Sequence, residues 1–83
     1  MNDDEKKIML TRLTDLALRV NEAVNIGRAR KHTFTIEAGK GFLTRIEDDK
    51  KKIESSKAQV EDIEKDINLI SYYLKKVSEL FKT

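Results

Sequence analysis

Positive charge gathers in one short segment near the middle of the chain, on Arg28, Arg30, Lys31 and Lys40, together with the only histidine, His32. Residues 27–45 hold five lysine or arginine side chains against a single acid, giving a local charge of +4 when the whole chain carries +2. Such a patch attracts phosphates, and Phe34 within it could stack on a base. The first interpretation is a solvated loop whose cations lie at the negative end of a helix dipole. The alternatives are contact of these residues with RNA or another nucleic acid, or with an acidic protein surface.

Other residue types give no pattern typical of an active site. The carboxylates Asp48, Asp49, Asp62, Glu64 and Asp66 are spread around a predicted helix with no histidine nearby to form an acid–base pair. One histidine and no cysteine cannot form a His/Cys metal cluster. Gly39-Lys40-Gly41 lacks the earlier glycine and the following Ser or Thr of a phosphate-binding loop. We therefore expect no enzyme activity, no cofactor and no metal site.

The predicted helix that carries these carboxylates is dominated by a heptad repeat. Large apolar residues recur every seven positions over the last half of the chain: Ile46, Ile53, Val60, Ile67, Leu74 and Phe81. This spacing is typical of a helix that packs against other helices. The chain of 83 residues has no proline, three glycines and 39% charged residues, a composition typical of long solvated helices. We predict an all-α protein.

The two predicted helices form one antiparallel hairpin domain over residues 1–83. Helix 1 is expected at about residues 3–30, because Asn2 and Glu5 have the spacing of a capping box. A loop is expected at about 31–41 and an unbroken helix 2 at about 42–82, since no proline or glycine interrupts the latter. Gly27 either ends helix 1 or lies within it where another backbone passes close.

In a hairpin of these lengths, the end of helix 2 would extend beyond helix 1 and leave its most apolar residues uncovered. A second chain would then cover them, so we predict a homodimer of hairpins, assembled as a coiled coil or four-helix bundle. A different protein could dock there instead. The predicted oligomer or partner interface consists of Ile63, Ile67, Ile70, Tyr73, Leu74, Val77, Leu80 and Phe81.

The leading functional interpretation is a small non-enzymatic interaction protein that acts as an adaptor, regulator or inhibitor of another macromolecule. The alternatives are an RNA-binding hairpin that uses the basic loop, and a structural assembly factor. In its general format the chain resembles accessory and inhibitor proteins encoded by bacteriophages and mobile elements, and small helical regulators of plasmid RNA. We expect no membrane span, because charged residues interrupt the apolar stretch 8–26. We expect a cytoplasmic location in a bacterial or host cell, because a secretory signal opens with positive charge whereas this start is acidic.

Overall fold

The computed structural model describes residues 1–82 as three α-helices joined by two short links. Helix α1 spans Asp3–Ala29, α2 spans Thr33–Glu54 and α3 spans Val60–Leu80. No strand occurs within this range, and the predicted all-α class is confirmed. Within the same range no helix combines the length and apolar character needed to cross a bilayer.

Helix α1 begins at the capping box expected from its sequence. The Glu5 backbone N–H donates to the Asn2 side chain at 2.8 Å, and the Asn2 backbone N–H donates to the Glu5 carboxylate at 3.0 Å. Asp3 and Asp4 add negative charge beside the positive end of the helix dipole. Two free backbone amides at the start of α1, those of Asn2 and Glu5, thus have side-chain partners.

The turn between α1 and α2 is a Schellman motif in which the left-handed position is not a glycine. The His32 N–H donates to the Gly27 carbonyl at 2.8 Å and the Lys31 N–H donates to the Arg28 carbonyl at 3.2 Å. Lys31 takes the left-handed conformation, with φ 54°. Gly27 lies inside α1, where an added Cβ would come within 3.0 Å of Thr35 Cγ2. The close-approach alternative for Gly27 is therefore the one that the structure shows, with a side chain as the neighbour.

The link between α2 and α3 repeats the same motif. The Lys57 N–H donates to the Lys52 carbonyl at 2.8 Å and the Ser56 N–H donates to the Ile53 carbonyl at 3.1 Å. Ser56 has φ 60°. The chain reverses here and begins α3 after Gln59, which caps no backbone amide with its side chain.

The predicted loop at 31–41 and the single helix at 42–82 are therefore wrong, although helix 1 at 3–30 lies close to α1. Residues 33–54 are helical, so both Gly39 and Gly41 lie inside α2, and the helix expected to continue to residue 82 ends at Glu54. The sequence prediction relied on glycine and proline as stop signals. Here Lys31 and Ser56 take the backbone conformation that glycine usually supplies.

The three helices run up, down and up. Lys6 Nζ donates to Ser56 Oγ at the start of α1, whereas the His32 and Phe81 rings meet at the opposite end with centroids 5.5 Å apart. The result is an elongated bundle of 42 × 19 × 16 Å. Of the heptad positions, Ile46, Ile53 and Ile67 are buried, while the other three are half-buried.

Helix α1 is the common support of the bundle, because it packs against both other helices while α2 and α3 contact each other much less. The buried apolar side chains of one chain are Met9, Leu13, Leu16, Val20, Ala23, Val24, Ile46, Ile53, Ile63, Ile67, Ile70, Tyr73 and Val77. The predicted overhang does not form, because α3 folds back and its apolar face packs on the core. A groove remains between α2 and α3.

Candidate functional site

The groove between α2 and α3 contains an apolar cavity of about 210 Å³ toward the α1–α2 turn. We call it the aromatic groove, and its walls are Phe34, Ala38, Phe42, Leu69, Tyr72, Tyr73 and Lys76. Almost all of its wall is apolar, and three of its lining residues come from α2 and four from α3. The groove therefore depends on the relative position of these two helices.

The floor of the aromatic groove is fixed by Tyr73. This side chain is buried, and its hydroxyl donates to the Thr35 backbone carbonyl at 2.6 Å. The Phe42 ring lies 5.0 Å from the Tyr73 ring, centroid to centroid. Gly39 lies against the same tyrosine, and an added Cβ would come within 2.7 Å of the Tyr73 hydroxyl oxygen. A glycine is needed at this position for α2 to approach so closely.

The rim of the aromatic groove carries large apolar side chains that face water. Phe34 is 73% exposed, Tyr72 is 59% exposed and Leu69 is 47% exposed. The Lys76 ammonium lies 5.3 Å from the centre of the Tyr72 ring, in a cation–π contact. Exposed apolar side chains that cluster beside a preformed groove are typical of interaction sites.

The end of the bundle next to this groove is strongly basic. The final turn of α3 is held at the α1–α2 turn by Phe81, whose ring contacts His32 and lies 5.8 Å from the Arg30 guanidinium carbon. The fold thereby adds lysines of α3 to the basic segment found in the sequence. We call residues 26–40 and 72–82 the basic end, and its seven cations are Arg28, Arg30, Lys31, Lys40, Lys75, Lys76 and Lys82. Against two carboxylates, Glu37 and Glu79, these give a charge of +5, so the rest of the chain carries −3.

The predicted nucleic-acid residues all lie at this end, but they are not equivalent. Arg28, Arg30, Lys31 and Lys40 are exposed. His32 is half-buried and caps α2, because its Nδ1 accepts from the Thr35 N–H at 3.3 Å and lies 2.7 Å from Thr35 Oγ1. This nitrogen of His32 therefore serves the fold, whereas the four cations are available to a ligand.

The predicted interface residues lie mainly inside the single chain. Ile63, Ile67, Ile70, Tyr73 and Val77 are buried in the core, Leu74 and Phe81 are half-buried, and Leu80 is 57% exposed. The overhang from which their role was inferred does not exist in this fold. Their use as an interface between chains stays a prediction.

Three rim residues, Leu69, Tyr72 and Lys76, were not identified as site residues from the sequence, whereas Phe34 was named there as a ring that could stack on a base. Phe34 was placed in a loop, although it lies in the first turn of α2. Leu69, Tyr72 and Lys76 are spaced three and four apart, which places them on one stripe along α3 beside its buried face. This stripe was a usable signal, but the long-helix interpretation assigned the whole region to an oligomer core.

A polar cluster bridges α2 and α3 outside the aromatic groove, farther along these two helices. Arg45 Nη1 donates to Asp66 Oδ1 at 2.9 Å across the two helices. Asp49 is only 4% exposed, and its Oδ2 accepts no hydrogen bond from residues 1–82. A proton on Asp49 would allow this carboxyl group to donate to Asp66 and relieve the unfavourable burial.

The ionisation of the two carboxyl groups follows from these contacts. Burial, followed by the hydrogen bond and the negative charge of Asp66, raises the pKa of Asp49 to about 7. Burial opposes ionisation of Asp66, but hydrogen bonds with Asp49 and Arg45 outweigh it and lower the pKa of Asp66. The arrangement favours one shared proton between the helices. Among residues 1–82 no three His, Cys, Asp or Glu side chains are grouped so that they could hold a metal ion.

Comparison of the chain with protein-family models, with curated proteins and with solved structures finds no match to any of them.

Proposed function

We propose that this chain is a small non-enzymatic interaction protein that binds another macromolecule through the aromatic groove and the adjoining basic end. The observation that carries the proposal is the exposure of Phe34 and Tyr72 beside a preformed apolar groove. Apolar surface in water costs about 25 cal/mol for each Å². Apart from Leu80, the other large apolar side chains of α3 are buried or half-buried by its own chain, so this rim is the cluster of exposed apolar side chains that a partner would cover.

Binding without chemistry suits the roles of adaptor, regulator or inhibitor, because a bound chain of this size can block or bridge a surface of its target. The cytoplasmic location expected from the sequence belongs to the same proposal. A structural assembly factor is the competing function, and it requires copies of the chain to meet. At the basic end each copy would bring a charge of +5 to such a contact, which disfavours self-association there.

The experiment immobilises the wild-type chain, a groove variant and a control variant, and compares the cellular macromolecules that each retains. The test variant is Phe34→Ser with Tyr72→Ser, and the control is Ile8→Ser with Leu18→Ser. The control residues are 57% and 62% exposed, so both variants remove similar exposed apolar surface, but Ile8 and Leu18 lie on α1 away from the groove. Thermal unfolding establishes that both variants are folded. Lysate from the organism that encodes the chain supplies proteins and nucleic acids.

We expect the wild type and the control to retain the same macromolecule and the groove variant to lose it. Retention that is equal in all three forms, or absent from all three, would overturn the proposal. Protein and nucleic acid are scored separately on each sample, so that the class of the bound macromolecule is also recorded.

A further inference from the structure

We infer that the ligand of the aromatic groove is a single-stranded nucleic acid, held by stacking of its bases on Phe34 and Tyr72 and by contact of its phosphates with the cations of the basic end. This inference rests on the proposed function and adds the chemical class of the partner. The two aromatic rings come from facing walls of one groove, Phe34 from α2 and Tyr72 from α3.

The charge of the basic end selects a polyanion over a second copy of the chain. The basic end next to the groove holds seven cations and two carboxylates, while the remainder of the chain is net negative. Phosphates neutralised by lysine and arginine release condensed counterions, which provides sequence-independent affinity. Lys76 lines the groove itself, so part of this charge adjoins the exposed rings directly.

The combination of side chains favours nucleic acid over an acidic protein. Protein interfaces contain aromatic residues but are depleted in lysine. The groove departs from this pattern, because Lys76 is one of its lining residues and the basic end beside it also holds Lys31, Lys40 and Lys75. Exposed aromatic rings beside a basic track are the arrangement by which proteins bind single strands without sequence preference, because every base has a flat face that can stack.

The same geometry predicts a preference for single strands over duplexes. Base faces are buried within a duplex, and only an unpaired base can present its face to Phe34 or Tyr72. A duplex can still use the cations, but it cannot use the rings. Loss of the rings should therefore weaken the binding of single strands and leave that of duplexes nearly unchanged.

The test is fluorescence anisotropy with a labelled mixed-sequence oligonucleotide of about 10 nucleotides, as DNA and as RNA, and with the corresponding duplex. In about 50 mM salt, Phe34→Ala and Tyr72→Ala should each weaken single-strand binding by about 5- to 150-fold. Ile8→Ala is the matched control for lost apolar surface and should bind like the wild type. Lys76→Gln should reduce the magnitude of the slope of log affinity against log salt by about 0.7, and Lys51→Gln, on α2 beyond the groove, should leave it unchanged.

Absence of oligonucleotide binding at low salt would overturn the inference. Binding that is equal for single strand and duplex and insensitive to Phe34→Ala would also overturn it, because charge alone would then explain the affinity. If the immobilised chain retains a protein that is lost on Phe34→Ser with Tyr72→Ser while no oligonucleotide binds, the proposed function stands and the ligand is a protein.

Discussion

Individual residues decide where the helices of this chain can approach one another, and two glycines of α2 show opposite constraints. An added Cβ at Gly39 would collide with Val24 and with the Tyr73 hydroxyl, whereas one at Gly41 would meet nothing within 4 Å. Tyr73 cannot easily move, because it is buried and donates to Thr35. The two positions differ in surroundings although both are helical glycines with no positive φ.

Gly39→Ala should lower the free energy of unfolding by about 1 to 3 kcal/mol, because overpacking outweighs the better helix propensity of alanine. Gly41→Ala should raise it by about 0.5 to 1 kcal/mol, because only the propensity term operates. Chemical denaturation of both variants measures the difference. Equal stabilisation of the chain by the two substitutions would contradict the close approach of α2 to Tyr73.

Single residues also show how far the sequence could predict this structure. The start of α1 was predictable because Asn2 and Glu5 act through their side chains. The ends of α1 and α2 were not, because Lys31 and Ser56 have no side-chain preference for the left-handed conformation that they adopt. Tertiary context overrides such local preferences, so no local pattern in the sequence indicates these two turns.

At the scale of the helices, the apolar periodicity predicted the helical class and most buried positions but not their partners. The heptad spacing at Ile46, Ile53 and Ile67 is satisfied by α1 of the same chain instead of a second chain. A periodic pattern specifies that a face must be covered and does not specify by what. The basic segment could be found from the sequence, because most of its cations are close together along the chain. The aromatic groove beside it could not, because it forms only when the turn between α2 and α3 brings the two helices together.

The contact between α2 and α3 should depend on pH through Asp49. Its pKa of about 7 in the folded chain lies above the value of about 4 expected when unfolded, so the folded chain binds more protons between these values. Stability contributed by this group is complete below about pH 4 and decreases as the pH rises through about 7. Asp66, whose pKa is lowered, contributes in the opposite direction at lower pH.

Asp49→Asn should remove this loss of stability at higher pH, because an amide can donate a hydrogen bond to Asp66 at every pH. We expect the stability of the variant relative to the wild type to grow by about 1 to 3 kcal/mol between about pH 5 and about pH 8. Denaturation at each pH measures it, with Asp48→Asn, an exposed neighbour on α2, as the control. A constant difference between variant and wild type over this range would show that Asp49 ionises freely in the fold.

At the scale of the whole molecule, the fold changes the expectation for assembly. The homodimer predicted from the sequence depended on an uncovered end of helix 2, whereas a single chain buries Ile63, Ile67 and Ile70. This fold predicts a monomer at micromolar concentration, and the basic end opposes self-association at the groove. Sedimentation equilibrium at low and high salt measures the mass. A dimer at both salt concentrations would contradict this expectation and would place the interface on a face of the bundle other than that of the buried Ile63, Ile67 and Ile70.

The odd number of helices places residues 1 and 82 at opposite ends of a bundle 42 Å long. A fluorophore, affinity tag or fused domain attached before Met1 would therefore be separated from Phe81 and the basic end by most of the length of the molecule. The same group attached after residue 82 would follow Phe81, whose ring lies 5.8 Å from the Arg30 guanidinium carbon, and would compete with whatever approaches the basic end. Orientation on a sensor surface or in a fusion protein is thus determined by the choice of terminus, and only tethering through the first residues leaves the aromatic groove facing outward.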